Sequence, residues 1–357
     1  MELIKPNTSI DFVGKSKMAF YLSGFFVLAS ILLLVWRGGP NLGVDFSGGI
    51  LIQVRFEDSG SSAEIREALE EINLEKSEIQ EFYESGRPEY LIQIRDTGEE
   101  LTEISTAVQE VLNNKFSGVE LRRVEMVGPK VGDDLRHKAL LAIFYSILFM
   151  GTYISGRFEM KWVMGLIMAG SLSVILYGAS SVGLTMNWLV IIALLATLAI
   201  CWFMGLKYAL GAILALIHDV VITVGFFALT DREISLSIIA AFLTIVGYSL
   251  NDTIIIFDRI RENLRNFPRK SNVEIFNKSI NETLSRTILT SATTLAVLVC
   301  LFFVGGSVIH DFAFAMMLGV IIGTYSSIFI ASPILLVWEK YMKDKPLKTI
   351  FMQKKTV

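Results

Sequence analysis

The stretch Gly247-Tyr-Ser-Leu-Asn-Asp-Thr-Ile-Ile-Ile-Phe257 decides the class of fold, because it places an acid inside an apolar run. That acid, Asp252, lies about two turns before the basic end of the run at Arg259. A carboxylate inside a membrane span costs roughly 2.5–3.5 kcal/mol on insertion scales, so it usually faces a bundle interior and marks an ion or proton pathway. Arg286 opens the next apolar run and is the candidate cationic partner.

Apolar runs long enough to cross a membrane recur along the chain. Hydrophobic residues make up 53% of the 357 residues and charged ones 19%. A helix of about 20 apolar residues crosses the hydrocarbon core, so the sequence predicts an α-helical polytopic membrane protein with about eight spans, the first of them uncleaved. The predicted spans are 18–36, 139–155, 162–180, 187–204, 208–229, 236–257, 287–304 and 312–338.

Lysines and arginines indicate which loops face the cytoplasm. They concentrate in the N-terminal arm, in the loop at 258–286 and in the tail, whereas the short loops on the other side hold only Arg232. Both termini are therefore predicted to be cytoplasmic. The predicted units are an arm at 1–17, a first span at 18–36, an external domain at 37–137, a bundle of about seven helices at 138–338 and a tail at 339–357.

The external block carries about twice as many acidic as basic residues. Its periodicities predict strand, helix, strand, strand, helix and strand, which is the order of a ferredoxin-like α+β domain. The first strand is predicted over 42–56, the first helix is predicted to be capped by Ser62, and a turn is predicted at 85–88. The glycines Gly48 and Gly49 predict either a hinge with tight turns or a binding or swivel element.

Polar residues inside the spans are the remaining candidate functional residues. The adjacent pair His218 and Asp219 is either a proton relay or a pair that locks helices together. Asn251 and Thr290 are candidates for the same two roles. A polar stripe runs from Arg286 into its apolar run, and it either packs helices or lines a proton path. The stripe consists of Thr283, Thr287, Thr290, Ser291 and Thr294.

No nucleotide or enzymatic site is visible in the sequence. It has no Gly-rich loop followed by Lys and Ser or Thr, and the external block has no metal cluster or nucleophile–base pair. The sequence therefore predicts a protein that is not an enzyme, binds no cofactor and draws on an ion gradient, where one charge crossing 100 mV provides about 2.3 kcal/mol.

The chain resembles the SecF family, whose members are the smaller membrane subunit of the SecD–SecF accessory complex of bacterial protein export. The most specific motifs are Gly247-Tyr-Ser-Leu-Asn-Asp-Thr253 and Phe257-Asp-Arg-Ile-Arg-Glu-Asn263. The others are Gly43-Val-Asp-Phe-Ser-Gly-Gly49, Val127-Gly-Pro-Lys-Val-Gly132, Arg157-Phe-Glu159, Leu210-Gly-Ala-Ile-Leu-Ala-Leu-Ile-His-Asp219, Ser285-Arg-Thr287 with Thr290-Ser291, and Gly323-Thr-Tyr-Ser-Ser-Ile-Phe-Ile-Ala-Ser-Pro333.

The resemblance implies a subunit of the bacterial cytoplasmic membrane that works with SecD and uses the proton-motive force to assist preproteins emerging from SecYEG. It implies a periplasmic domain that contacts the translocating preprotein, contact with membrane lipid, and no nucleic-acid partner. The family's essential acid falls on Asp252 and its essential arginine on Arg286. The resulting hypothesis is that Asp252 alternates between charged and protonated states as Arg286 approaches and recedes, which moves the external domain.

One departure from the family concerns the number of spans. Members of the SecF family usually have six, whereas about fifty residues separate Glu159 from Leu210 here, enough for two more. The segment 161–169 echoes 207–215, so an inserted helical hairpin is predicted over 162–206. Two other functions stay open: a proton-coupled exporter of small molecules or lipids, and a non-conducting scaffold of the translocon.

Overall fold

The computed structural model describes residues 9–57, 61–74, 77–84, 87–94, 101–181 and 186–341. Three predicted features lie wholly or partly outside the described residues: the start of the N-terminal arm, the first two residues of the turn at 85–88, and the tail from residue 342 onward. The strands are β1 (Gly49–Arg55), β2 (Glu78–Glu84), β3 (Arg87–Ile94) and β4 (Glu120–Val127). The helices are α1 (Phe12–Arg37), α2 (Val44–Ser47), α3 (Ser62–Glu70), α4 (Leu101–Lys115), α5 (Pro129–Glu159), α6 (Trp162–Ser181), α7 (Met186–Phe203), α8 (Lys207–Leu229), α9 (Leu236–Asn266), α10 (Asn272–Val304), α11 (Gly306–Ser326) and α12 (Ser332–Tyr341).

The external block contains an antiparallel sheet with the spatial order β2-β3-β1-β4. Along the chain its elements run β1-α3-β2-β3-α4-β4, the predicted order of strands and helices. Alternate residues of β1 point to one face, so Ile50, Ile52 and Val54 are buried together against α3 and α4. This apolar face gives the block its own core, separate from that of the membrane helices.

The N-cap residue of α3 lies one position earlier in the sequence than predicted. Ser61, not Ser62, is the N-cap: its hydroxyl accepts from the Glu64 N–H, and the Glu64 carboxylate accepts from the Ser61 N–H at 2.8 Å. The two bonds satisfy helix-end donors reciprocally, which a hydroxyl at position 62 could not do. The backbone and hydroxyl of Ser61 together lower the pKa of Glu64.

Replacing Ser61 with Ala should loosen the first turn of α3. Loss of such a cap costs about 1 kcal/mol, so amide exchange in this turn should rise about fivefold. Because the pKa of Glu64 is lowered on folding, its contribution is present above its ordinary pKa and is lost as the pH falls through the lowered value. Hydrogen exchange of the intact protein at neutral and acidic pH measures both effects, and unchanged exchange in the variant would contradict the assignment.

Within the described residues, six helices are long and apolar enough to cross a membrane: α1, α5, α8, α9, α10 and the continuous segment Ile309–Trp338. The last of these joins α11 to α12 through a π-helical turn, Ser327–Ala331. Two further apolar helices, α6 and α7, follow each other in the segment predicted as an inserted hairpin, and they pack on each other and on α5. The protein is therefore a mostly helical polytopic membrane protein.

The first membrane helix is longer than predicted. It begins at Phe12 rather than at residue 18, so the end of the predicted N-terminal arm is helical. Asp11 caps it by accepting from the Gly14 N–H at 2.8 Å, and Asn277 of α10 donates to the same carboxylate. A polar cap allows a helix to start in the polar residues before its apolar run, which a count of apolar residues alone does not reveal.

The strand predicted over 42–56 is shorter than expected, and the glycine motif lies before it except for Gly49. Residues 44–47 form the short helix α2, and β1 begins only at Gly49. Gly48 and Gly49 have φ of 73° and 129°, which other residues rarely adopt. A side chain at Gly48 would also approach the backbone of Pro129 to 3.0 Å. The two glycines therefore form a tight turn packed on the start of α5.

Candidate functional site

Asp252 lies on the buried face of α9, where that helix packs against α8, α10 and α11. Only 2% of its surface is exposed, and its Oδ2 has no hydrogen-bond partner among the described residues. Buried polar atoms are nearly always partnered in folded proteins, so an unpartnered carboxylate oxygen requires an explanation in function or in a second state. The acid faces the bundle interior, not lipid.

Arg286 of α10 is the cation that interacts electrostatically with this acid. It lies within electrostatic range of Asp252, but the ion pairs within 4.0 Å found among the described residues do not include one between them. Its own side chain is exposed. The predicted pair is therefore brought close without being joined, which leaves a separation that a movement of α10 against α9 can change.

The polar stripe of α10 faces its neighbouring helices. The Thr287 hydroxyl is buried and, within the described part of the chain, unpartnered, as is Asp252 Oδ2. Ser291 bonds Thr324 of α11 at 2.7 Å, and Tyr248 of α9 donates to Thr294 at 3.3 Å. The stripe is thus partly a packing surface, and next to Arg286 it also has a free hydroxyl.

Thr290 and Asn251 have other surroundings than Asp252. The Thr290 hydroxyl donates to the carbonyls of Arg286 and Thr287 on its own helix, both at 3.0 Å. Asn251 is exposed on the outer face of α9, although it is adjacent to Asp252 in sequence, because successive residues of a helix point in different directions. Sequence reasoning placed Thr287 only in the stripe. It resembles Asp252 more than Thr290 or Asn251 does, because its oxygen is also buried and unpartnered among the described residues.

The pair His218 and Asp219 belongs to a hydrogen-bond network that joins three helices. Asp219 is fully buried, and its Oδ2 accepts from Ser249 of α9 at 2.6 Å and from Ser326 of α11 at 2.8 Å. Its Oδ1 lies 2.9 Å from His218 Nδ1. Ser249 precedes Asp252 by three residues, so this network fixes the part of α9 that carries the acid.

Two further carboxylates and an amide organise the ends of these helices. Glu159 accepts from the Tyr208 N–H at 3.1 Å and so caps the start of α8. Arg157 pairs with Asp258 at 2.6 Å near the end of α9. Asn263 is almost completely buried and donates to Ser279 and Glu282 of α10. Sequence reasoning quoted Asn263 only as the last residue of a family motif and gave it no role, because an amide in a charged helix end does not reveal its partners.

The chain is similar to known proteins over nearly all of its length. The family described as protein export membrane protein SecD/SecF, C-terminal, matches residues 107–201 and 180–341, and the SecD/SecF GG motif matches residues 38–59. The protein translocase subunit SecF of Calditerrivibrio nitroreducens is 40% identical over 341 residues, covering 93% of this chain and 95% of that relative. The chain belongs to the SecF family. The SecF subunit of Magnetococcus marinus is also 40% identical, over 97% of both chains.

The fold of this SecF family member is also found in a solved structure. The crystal structure of SecDF from Thermus thermophilus, a translocon-associated membrane protein, superposes with a TM-score of 0.70 and 29% identity over 94% of this chain. The match covers 39% of the SecDF chain, so the present chain spans well under half of that protein. The residues that match the family's GG motif, 38–59, contain α2, the turn at Gly48 and Gly49, and β1.

Proposed function

We propose that this SecF subunit works with SecD to couple the proton-motive force to late translocation of preproteins through SecYEG. The observation that carries the proposal is the buried Asp252 carboxylate, which has an unpartnered oxygen and the Arg286 cation close by but not bound. Intramembrane acids of this kind mark proton pathways. The SecDF structure, described as translocon-associated, supports SecD and the translocon as partners.

The proposed cycle uses Asp252 and Arg286 as its proton-coupling residues. Protonation removes the charge of Asp252, and with it the attraction that holds Arg286 close, so α10 shifts against α9. Release of the proton reverses the shift. In this scheme the network of Asp219, with His218, Ser249 and Ser326, is a helix lock that keeps α8, α9 and α11 together while α10 moves.

The proposed topology places both termini in the cytoplasm and the sheet-containing block in the periplasm, in a bacterial inner membrane. The sheet order β2-β3-β1-β4 with two helices on one face supports a ferredoxin-like domain. We include α6 and α7 as two further spans, which brings the total to eight. The family model matches residues 180–201 twice, as an inserted or duplicated hairpin would produce. Contact of the external block with the preprotein, and of the hairpin with lipid, belongs to the same proposal.

The proposal can be tested in inverted membrane vesicles that lack their own SecF. Export of a preprotein is followed after the ATP-driven stage, with and without a protonophore, and the chain is supplied together with SecD. A component of export that returns with the chain and disappears with the protonophore is expected. Restoration that survives the protonophore would indicate a scaffold that only holds translocon subunits together.

A further inference from the structure

The glycine motif reaches across 191 residues of sequence to the start of α9, the helix that carries Asp252. Ser235, the N-cap residue of α9, makes no cap hydrogen bond with its side chain. The Leu236 N–H donates instead to Asp45 Oδ2 of α2, at 2.8 Å. Free N–H groups at a helix start need an acceptor, and a carboxylate is also favoured there by the helix dipole.

Main-chain bonds hold the same two segments side by side. The Gly43 N–H donates to the Ile234 carbonyl at 3.0 Å, and the Ile234 N–H donates to the Asn41 carbonyl at 2.8 Å. Leu42 and Ile234 are thereby partners in a parallel β-bridge. Phe46 is buried in one cluster with Ile234 and with Ile238 of α9. The contact between the glycine motif and the start of α9 therefore combines a side-chain hydrogen bond, main-chain hydrogen bonds and apolar packing.

The other side of α2 is fixed to α5 and to the sheet. The missing side chain of Gly132 in α5 allows close approach, since a Cβ there would lie 3.1 Å from the Phe46 carbonyl oxygen and the Gly48 N–H nitrogen. Beyond Gly48 the chain enters β1, a central strand of the sheet. The Gln93 side chain of β3, with its nitrogen donating to Glu233, accepts from the Val44 N–H. The external block is thus joined to the start of α9 through α2.

We infer that Asp45 is a positioning residue that couples the external block to α9, so that movement produced at Asp252 is transmitted to the sheet. Asp252 lies sixteen residues along α9 from Leu236, about 24 Å on a rigid helix. The loop between α8 and α9 is also held by ion pairs of Arg37 with Asp231 and of Arg232 with Asp311. This inference rests on the proposed function and assigns the glycine motif a part in it.

Asp45→Ala should separate proton movement from export. In vesicles containing SecD and the variant, proton flux should stay within about twofold of the unchanged protein, because Asp252 and Arg286 are untouched. Stimulation of export by the proton-motive force should fall about fivefold, because loss of a helix cap lowers the population of the capped contact by about that factor. Asp45→Asn should retain both activities, since its amide oxygen still accepts from Leu236. Glu110→Ala, which removes an exposed acid of α4, is the matched control.

A reversible cross-link tests coupling independently of folding. Leu42→Cys and Ile234→Cys replace bridge partners, which suit the roughly 4.4–6.8 Å Cα separation of a disulfide. Cys300→Ala removes the exposed native thiol, and Cys201 is buried. In this protein carrying Asp45→Ala as well, oxidation should restore stimulated export and reduction should abolish it again.

Three outcomes would overturn the inference: normal export in Asp45→Ala, loss of proton flux in Asp45→Ala, or no rescue by the oxidised cross-link. Each differs from failure of the proposed function, in which the unchanged protein itself shows no export that depends on the proton-motive force. A variant that does not assemble with SecD is recognised by co-purification, and the oxidised cross-linked form of Asp45→Ala then decides the question, because its contact between α2 and α9 no longer depends on the cap.

Discussion

Asp252→Asn should abolish the part of preprotein export that depends on the proton-motive force, reducing export to the level measured with a protonophore. Asn has nearly the same shape but cannot gain and lose a proton, so Arg286 would meet a permanently neutral group. Because Asp252 Oδ2 makes no hydrogen bond within the described residues, the substitution should leave the fold and assembly with SecD intact.

The matched control for this variant is Asp258→Asn on the same helix. Asp258 is half exposed and pairs with Arg157, so its neutralisation removes a surface ion pair, which contributes little. Export should therefore stay near its original level in the control. Full stimulation of export by Asp252→Asn, in a complex shown to contain SecD, would support the scaffold function over proton coupling.

Asp219→Leu should destabilise the membrane bundle by about 2–3 kcal/mol, because the Ser249 hydroxyl loses its acceptor and the Ser326 hydroxyl loses one of two. Asp219→Asn should be much milder, since one amide oxygen can still accept from both hydroxyls. Denaturant unfolding of the purified protein in detergent measures the difference between the two variants.

The same two variants separate a helix lock from a proton relay. A lock requires only the hydrogen bonds, so Asp219→Asn should keep most of the export that depends on the proton-motive force. A relay through His218 requires a titrating carboxylate at position 219, and Asp219→Asn would then be as inactive as Asp252→Asn. Equal loss in both asparagine variants would contradict the lock.

The sequence was sufficient to predict that Asp252 is buried. A lipid-facing carboxylate inside an apolar run is costly, so the burial of Asp252 against other helices follows from the cost of insertion. The helical spacing of the threonines on α10 likewise predicted a polar face beside Arg286. The sequence could not predict that Asp252 and Arg286 stay apart, because distances between helices depend on packing.

Contacts between remote segments were beyond sequence reasoning. The alternation over 42–56, around Gly48 and Gly49, indicated a strand, whereas tertiary contacts of residues 44–47 with α5 and α9 stabilise a short helix there. Asp45 at the start of α9 and Glu159 at the start of α8 both serve as caps from distant positions. A local cap has a pattern of spacing that can be read, as at Ser61 and Glu64, but a remote cap has none.

The measurement that tests the central claim most directly is proton flux through the reconstituted complex of SecD with this chain. Liposomes holding a pH-sensitive dye receive a membrane potential and a pH gradient, and the unchanged protein is compared with Asp252→Asn and Asp258→Asn. The account predicts flux in the unchanged protein and in Asp258→Asn, and only background leakage in Asp252→Asn. Flux in Asp252→Asn equal to that of the unchanged protein would show that the buried acid of α9 does not carry the proton.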